Sequence, residues 1–394
     1  MPKLTVRDIP VADKRCFVRV DYNVPIKGGK IGDDTRIRAS LPTLRYLVEN
    51  GAKVILASHL GRPKGAVVED LRLDPVAVRL SELLGRPVAK LNDCVGPEVE
   101  AFVSNMKAGD VVLLENVRFH AGEEKNDPGL ARQMANLADL FVNDAFGAAH
   151  RAHASTAGIA AFIPACAGFL MEKEVSALSR LMESPERPFV AVIGGAKVSD
   201  KLKVLDNLLD KVDSLVIGGG MANTFLLAKG YNVGKSLSEP AMVESAREIM
   251  SKAEKAGKDL LLPVDVVCAP APEVGTPVKV VDVSGIPSDQ AALDIGPKTR
   301  KEFASKIAAA KTVFWNGPMG VFEVEPFGAG TMEIAAAVAG VSGFSVVGGG
   351  DSLAAIEVSG VAERISHLST GGGASLEFLE GRTLPGVACL QDKA

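Results

Sequence analysis

The stretch SLPTLRYLVENGAKVILASHLGR, residues 40–62, contains the unit from which the fold can be inferred. Ser40 can cap a helix, Pro42 lies early in that helix, and apolar residues recur at helical spacing until Gly51 ends it. A strand is predicted over residues 53–57, directly after the helix. A helix that passes at once into a β-branched strand is typical of a βαβ unit around a parallel sheet.

The same alternation of helices and strands continues along all 394 residues. This length suits two α/β domains of roughly 150–200 residues each. We therefore expect two doubly wound parallel-sheet domains that face each other across a hinged cleft. The N-terminal domain is predicted over residues 1–170, a linking helix and hinge over 171–187, and the C-terminal domain over 188–378. The Ser-Pro-Glu-Arg-Pro segment at residues 184–188 marks the boundary.

The composition disfavours several classes of protein. A formal net charge of −4 gives no overall attraction to nucleic acid or anionic lipid. Five scattered cysteines form no C-x-x-C pair, which fits reduced thiols in a cytoplasm. The N-terminus has no apolar signal core, and no hydrophobic run reaches a spanning length. We expect a cytoplasmic protein with no nucleic-acid partner and no membrane anchor.

In the first half, four predicted strands end in loops rich in charged side chains. Because ligands bind at the carboxyl ends of the strands in open α/β sheets, these loops should meet at one crevice. Guanidinium groups bind phosphate and carboxylate with two bonds each, so the crevice suits a substrate with both groups. Asp21 and Asn23 are also common turn residues, and that alternative stays open. The loop residues are Asp21, Asn23, His59, Arg62, Arg118, His150, Arg151 and His153.

In the second half, five predicted strands end in glycine. Glycine lets backbone amides approach a polyphosphate, and a helix that starts after the turn directs its N–H groups at the anion. A single cluster is also typical of a plain turn. Lys197, Lys201 and Asp351, however, add the two cations and the carboxylate that a magnesium nucleotide needs. The glycine-ended segments are residues 190–197, 214–223, 312–320, 344–352 and 367–375.

Ten segments, taken in order, resemble the phosphoglycerate kinase family and cover nearly the whole chain. Their number and order make an accidental similarity very improbable. They are RVDYNVP (19–25), DDTRI (33–37), SHLGRP (58–63), ENVRF (115–119), NDAFGAAHRAHAS (143–155), GGAKVSDK (194–201), NTFLLAKGYNVGKS (223–236), WNGPMGVFE (315–323), GGGDS (348–352) and STGGGASLE (369–377).

The resemblance implies a glycolytic kinase that transfers a phosphoryl group between 1,3-bisphosphoglycerate and ADP, giving 3-phosphoglycerate and ATP. It also implies Mg²⁺ as cofactor, a monomer, closure of the two domains, and a final segment, residues 379–394, that returns to the N-terminal domain. The residues that it implies for 3-phosphoglycerate are Asp21, Asn23, Arg36, His59, Arg62, Arg118 and Arg151.

For the nucleotide, the resemblance implies that Lys201 contacts the phosphates and Glu323 the ribose hydroxyls. Asp351 would bind Mg²⁺, beside Gly349, Gly350 and Ser352, where Ser352 replaces the threonine usual in the family. The transferring phosphoryl group would be stabilised by Arg36, Lys197 and the amides of the turn Gly371, Gly372 and Gly373.

Two other functions remain as alternatives. A nucleotide-dependent dehydrogenase shares the α/β pattern and the glycine turns, but no G-x-G-x-x-G is completed after a strand. A two-domain solute-binding protein would also have an arginine-lined cleft, but we would expect a signal peptide in it. Zinc at His150 and His153 is disfavoured because no third ligand lies at a supporting spacing.

Overall fold

The computed structural model describes residues 2–393, which form two compact units. The first unit contains the residues up to Ser176 and those from Thr383 onward, and the second contains Ala177–Arg382. Each unit has a six-stranded sheet, and this confirms the predicted pair of parallel-sheet domains. Within residues 2–393, no helix has the length and apolar character needed to cross a membrane.

The first unit alternates strands and helices along the chain. Its strands are β1 (Arg15–Arg19), β2 (Ile26–Lys27), β3 (Lys30–Ile31), β4 (Lys53–Ala57), β5 (Ala89–Lys90), β6 (Val111–Leu113), β7 (Leu140–Asn143) and β8 (Ala165–Ala167). Its helices are α1 (Thr35–Glu49), α2 (Asp74–Leu84), α3 (Pro97–Ser104), α4 (Pro128–Asn136) and the N-terminal part of α5 (Phe169–Glu183). The sheet order is β5-β6-β4-β1-β7-β8, with parallel neighbours throughout. The ends of β6, β4, β1 and β7 are therefore adjacent.

The helix before β4 starts earlier than its sequence predicts. Helix α1 begins at Thr35 and contains Pro42, so the predicted start at Ser40 was wrong. An interior proline costs roughly 3 kcal/mol. Helix α1 offsets this cost by burying four aliphatic side chains, each worth about 1.5–3 kcal/mol, namely Ile37, Leu41, Leu44 and Leu47. The longer helix places Arg36 in its first turn. Strand β4 has the bounds that were predicted for it, residues 53–57.

The second unit repeats the α/β pattern. Its strands are β9 (Phe189–Ile193), β10 (Ser214–Ile217), β11 (Asp259–Leu261), β12 (Asp265–Ala269), β13 (Lys279–Asp282), β14 (Ala291–Ile295), β15 (Thr312–Asn316), β16 (Phe344–Gly348) and β17 (His367–Ser369). Its helices are α6 (Leu202–Leu209), α7 (Gly219–Ala228), α8 (Val243–Lys255), α9 (Pro297–Ala308), α10 (Ala329–Ala339), α11 (Gly350–Ser359) and α12 (Gly373–Leu379), and the short α13 (Pro385–Ala388) belongs to the first unit.

The main sheet of the second unit positions its glycine turns. Its order is β11-β10-β9-β15-β16-β17, with parallel neighbours, and a separate antiparallel sheet has the order β13-β12-β14. The central strands β9 and β15 are buried along their whole length, as expected where a parallel sheet is covered on both faces. The indole N–H of Trp315 donates to the carbonyl of Gly317 at 2.8 Å, which fixes the backbone just beyond β15.

Candidate functional site

The carboxyl ends of β1, β4 and β6 in the first unit are joined by hydrogen bonds. Nη1 of Arg36 donates to both carboxylate oxygens of Asp21, at 3.1 and 3.2 Å, and to the carbonyl of Asn23 at 3.1 Å. The side-chain oxygen of Asn23 accepts from the amide of Gly61 at 2.9 Å. Nη1 of Arg118 donates to the carbonyl of Gly61 at 2.8 Å. These contacts bring four of the predicted substrate residues into one group.

His59 is held beneath this group by an arginine that the sequence reasoning missed. Arg19 is fully buried at the end of β1, and its Nη2 lies 3.2 Å from Nδ1 of His59. Arginine has donors only, so Nδ1 must accept and the ring proton must sit on Nε2. Burial, followed by the charges of Arg19 and Arg118, holds the pKa of His59 well below its usual value. His59 is therefore a neutral donor at pH 7.

Buried partners surround Arg19 and compensate its charge. Nε of Arg19 donates to Oγ of Ser155 at 2.8 Å, and Oγ of Ser155 donates to Oε1 of Glu123 at 2.5 Å. Glu123 is itself fully buried. The one signal of this network in the sequence is a charged residue, Arg19, directly after the apolar residues 16–18 of strand β1. Nothing in the spacing relates Arg19 to Ser155, which follows 136 residues later.

Two further arginines of the predicted substrate site, Arg118 and Arg151, differ in how far their charges are neutralised. Arg118 is only 6% exposed, and its Nε lies 3.4 Å from Oε1 of Glu124. Burial lowers the pKa of Arg118, and the positive charge of Arg151 acts in the same direction. Arg151 is exposed and donates to Nε2 of His150 at 3.1 Å.

Arg62 has the fewest contacts of the predicted substrate residues. Its side chain is exposed and, within residues 2–393, forms no hydrogen bond or ion pair. Arg62 is connected to the group through its neighbour Gly61 alone. Asp21, Asn23, Arg36, His59, Arg62, Arg118 and Arg151 are called the anion cluster below.

In the second unit, Lys201 points into the turns that follow β9 and β15. Its Nζ donates to the carbonyls of Gly194 at 2.6 Å and Asn316 at 3.2 Å. Burial lowers the pKa of Lys201 to about 8, against the opposing effect of Asp351 and Asp200. The ammonium group is therefore mostly protonated at pH 7 but close to losing its proton.

Gly317 lies at the centre of these turns and has no room for a side chain. Its φ is +95°, and an added Cβ would lie 2.3 Å from the carbonyl oxygen of Gly194 and 2.6 Å from Nζ of Lys201. The amide of Gly317 donates to Oγ of Ser352 at 2.6 Å. Ser352 thus supplies the hydroxyl that a threonine would supply, and it ties the first turn of α11 to the end of β15.

Other predicted residues of the second unit lie in loops and turns after the strands of the same sheet. Gly349, with a φ of +97°, precedes α11, and a Cβ there would lie 2.7 Å from the side-chain nitrogen of Asn316. Lys197 is exposed in the loop after β9. In the turn before α12, Gly372 has a φ of +51°, and the amide of Gly371 donates to Oγ of Ser369 at 3.3 Å.

A cavity of about 250 Å³ lies beside these turns, within the second unit. Its wall combines glycine backbone, apolar side chains such as Leu237 and Met319, and two carboxylates that were predicted for the nucleotide, Glu323 and Asp351. Lys197, Lys201 and Ser352 do not line it. The cavity therefore brings together only part of the predicted nucleotide site.

Asp351 has the properties expected of a magnesium ligand. It lies in the first turn of α11, is exposed, and has no hydrogen bond or ion pair within residues 2–393. A free carboxylate oxygen is the donor that Mg²⁺ prefers, and nucleotide phosphates and water commonly supply the other ligands. The single carboxylate suits a metal that arrives with its nucleotide.

Comparison with known proteins identifies relatives of the entire chain. Residues 6–382 match the family model described as phosphoglycerate kinase. The chain is 60% identical over 393 residues to a phosphoglycerate kinase of Moorella thermoacetica and 58% identical to one of Pelotomaculum thermopropionicum, with 100% of each chain covered.

Solved structures agree with these sequence matches. The structure of phosphoglycerate kinase from Coxiella burnetii is similar with a TM-score of 0.92 and 45% identity. That from Pyrococcus horikoshii OT3 is similar with a TM-score of 0.84 and 37% identity. In both pairs, 98% of each chain is covered.

Proposed function

The chain belongs to the phosphoglycerate kinase family, and on that premise we propose how its own residues carry out the reaction. The reaction is reversible transfer of a phosphoryl group between 1,3-bisphosphoglycerate and ADP. The observation that carries the assignment of residues is the anion cluster, in which hydrogen bonds join Arg36 and Arg118 into one group at the sheet end. The dehydrogenase alternative is not favoured by any of the relatives.

The anion cluster binds 3-phosphoglycerate in this proposal. Arg62 and Arg151 are exposed and have no carboxylate partner among residues 2–393, so they meet the phosphate and carboxylate of the substrate with little loss of existing contacts. Neutral His59 adds a hydrogen bond from Nε2. Arg36 differs because its Nη1 is already bound to Asp21, which orients its guanidinium toward the group that is transferred.

No general base is required in the ATP-consuming direction. The nucleophile is the carboxylate of 3-phosphoglycerate, which carries no proton at pH 7. The protein has to align the reactants and to cancel charge on the transferring phosphoryl group. We assign this to Arg36, Lys197 and the amides of Gly371 and Gly372, with Lys201 on the nucleotide phosphates and Glu323 on the ribose hydroxyls.

Magnesium supplies further neutralisation of the phosphates when it is bound. We propose that Asp351 holds it, and that Gly349, Gly350 and Ser352 hold the nucleotide at the start of α11. The positive end of the helix dipole and its unpaired N–H groups favour an anion at this position.

The proposal extends to a hinge over residues 171–187, which contain most of α5. Substrate and nucleotide are assigned to different units, so transfer requires closure, which also excludes water from the acyl phosphate. Small-angle scattering tests this part: the radius of gyration should fall when both ligands are added. An unchanged radius would contradict closure. We further propose that the protein is a cytoplasmic monomer.

A coupled assay with 3-phosphoglycerate, ATP and Mg²⁺ tests the function and the division of roles. Arg36→Ala should lower kcat by roughly 10²–10³-fold, as for loss of a group that stabilises the transition state, and Lys197→Ala should also lower kcat. Arg62→Ala should mainly raise the KM for 3-phosphoglycerate. Arg38→Ala is the matched control, because Arg38 lies in the same helix and pairs with Asp34.

The assay distinguishes a wrong function from wrongly assigned residue roles. A folded wild-type protein without turnover would overturn the function. Normal turnover with the effects of Arg36→Ala and Arg62→Ala exchanged would leave the function intact and contradict the assigned roles.

A further inference from the structure

The loops after β5 and β6 bring together three side chains with different donor atoms. Asp93 and Cys94 follow β5, and His120 follows the helical turn Val117–Phe119 after β6. A carboxylate oxygen of Asp93, Sγ of Cys94 and a ring nitrogen of His120 all lie within 4.8 Å of one another. Over residues 2–393, no other group of three His, Cys, Asp or Glu residues meets this spacing. We call these residues the three-donor cluster, and none of them belongs to the anion cluster.

The backbone holds the three-donor cluster in place. Oδ1 of Asp93 accepts from the amide of Cys94 at 2.6 Å and lies 2.6 Å from Nε2 of His120. The amide of Glu115, just beyond β6, donates to the carbonyl of Asp93 at 3.3 Å. Because β5 and β6 are hydrogen-bonded neighbours in the sheet, the two loops are joined at their base, and the donors stay near each other without a bound ion.

We propose that the three-donor cluster binds a divalent transition metal ion of the zinc type. Sulfur, imidazole nitrogen and carboxylate oxygen are the donors that Zn²⁺ takes, at about 2.0–2.3 Å each. Donors arranged around such an ion lie roughly 3–4 Å apart, so small side-chain rotations suffice. The mixed set disfavours Mg²⁺, which prefers oxygen donors alone.

The proposed site has three protein ligands and a position open to water. Glu115 is near but is already bound by Arg72 at 2.9 Å and Lys90 at 2.8 Å, so it does not supply a fourth ligand. The side chains of Asp93 and His120 are 54% and 32% exposed, which gives the ion a path from solvent. An open fourth position is typical of zinc sites in which a water or a small ligand exchanges.

Binding replaces protons with metal bonds. The ion forms a bond to Sγ of Cys94, and the thiol proton passes to solvent. Nε2 of His120, which donates its proton to Asp93 in the absence of metal, releases that proton to solvent while Nδ1 takes one up, and the freed lone pair of Nε2 forms the second bond. The carboxylate of Asp93 forms the third bond after exchanging its contact with His120 for the ion. No oxidant or further reactant takes part.

Cobalt(II) is the spectroscopic probe for this site. Titration of the whole protein, with Mg²⁺ in excess so that any oxygen-donor site is filled, should give one equivalent with tetrahedral d–d bands and a thiolate-to-cobalt charge-transfer band. Added Zn²⁺ should abolish both. Cys94→Ser and His120→Gln should each weaken cobalt binding by about 100-fold or more, since even outer contacts of metal sites are worth 10–100-fold. Cys389→Ser, which removes another thiol, should bind like the wild type.

Circular dichroism verifies the fold of each variant. If Cys94→Ser fails to fold, His120→Gln still tests the proposal, because His120 is partly exposed and its replacement should be tolerated. A wild-type spectrum with octahedral cobalt only, or equal cobalt binding by wild type and both variants, overturns the proposal. The titration contains no nucleotide or phosphoglycerate, so its outcome is independent of the proposed kinase function.

Discussion

The two units present anion-binding groups by opposite means. In the first unit, the anion cluster consists of polar and mostly charged side chains, and a second charged layer, Arg19 with Glu123, is fully buried. In the second unit, the turns consist mainly of glycine backbone, and the partly buried ammonium group of Lys201 donates to their carbonyls. The stability of a site built from side chains depends on compensation of their charges. The stability of a site built from glycine backbone depends on the absence of side-chain atoms from its turns. The two units should therefore fail under different substitutions.

The largest effect is expected from removing the buried charge of the first unit. Arg19→Met leaves Glu123 without its cation, and breaking a buried charged network in this way costs about 3–5 kcal/mol of unfolding free energy. Urea unfolding followed by circular dichroism measures it. Arg15→Met is the matched control, because Arg15 lies in the same strand but pairs with Asp139 at a partly exposed position. That control should cost at most about 1 kcal/mol, and similar losses for both variants would contradict the role of the buried layer.

Adding one methyl group at Gly317 should destabilise the second unit. Gly317→Ala combines a positive φ, which costs a residue with a side chain about 1–2 kcal/mol, with a clash against Gly194 and Lys201. Overpacking adds about 1–3 kcal/mol, so we expect a loss of roughly 2–5 kcal/mol in urea unfolding, together with weaker ADP binding. Gly285→Ala, where nothing lies within 4 Å of the added Cβ, is the control. Equal stability of the two variants would show that the turn has more space than its geometry indicates.

The smallest effect is expected from the charge of Lys201, which depends on pH. Its pKa of about 8 lies below the value of 10.5 for an unperturbed lysine, so its positive charge is present below pH 8 and is lost as the pH rises through that value. If this ammonium group binds nucleotide phosphates, the Kd for ADP should rise by up to about tenfold per pH unit above 8. Isothermal titration calorimetry between pH 7 and 9.5 measures it.

A permanently charged residue is the test of this cause. Lys201→Arg should remove the rise in Kd, whereas Lys203→Arg, an exposed neighbour, should leave it unchanged. An identical pH dependence in wild type and Lys201→Arg would assign the titration to another group. His59 gives the contrasting case, since its pKa is already held low by burial and arginines, and no comparable change is expected near neutral pH.

Much of the architecture followed from local patterns. The strand over residues 53–57 was predicted with its observed bounds, because a short run rich in β-branched residues between turn signals is typical of a strand. The start of α1 was not, because Pro42 argued locally against a longer helix while the aliphatic residues on either side of it favoured burial. In that competition, burial of several side chains outweighs one missing hydrogen bond, and burial depends on what packs against the helix.

The sequence by itself determined that this is a two-unit α/β protein, which strand ends carry charge, which carry glycine, and to which family the chain belongs. These properties are local or follow from the order of motifs. Only the tertiary structure decided that Arg19 and Glu123 compensate each other under His59, that Arg36 is held by Asp21, and that Asp93, Cys94 and His120 converge. Each of those contacts joins residues from separate segments of the chain, and only the fold brings those segments together.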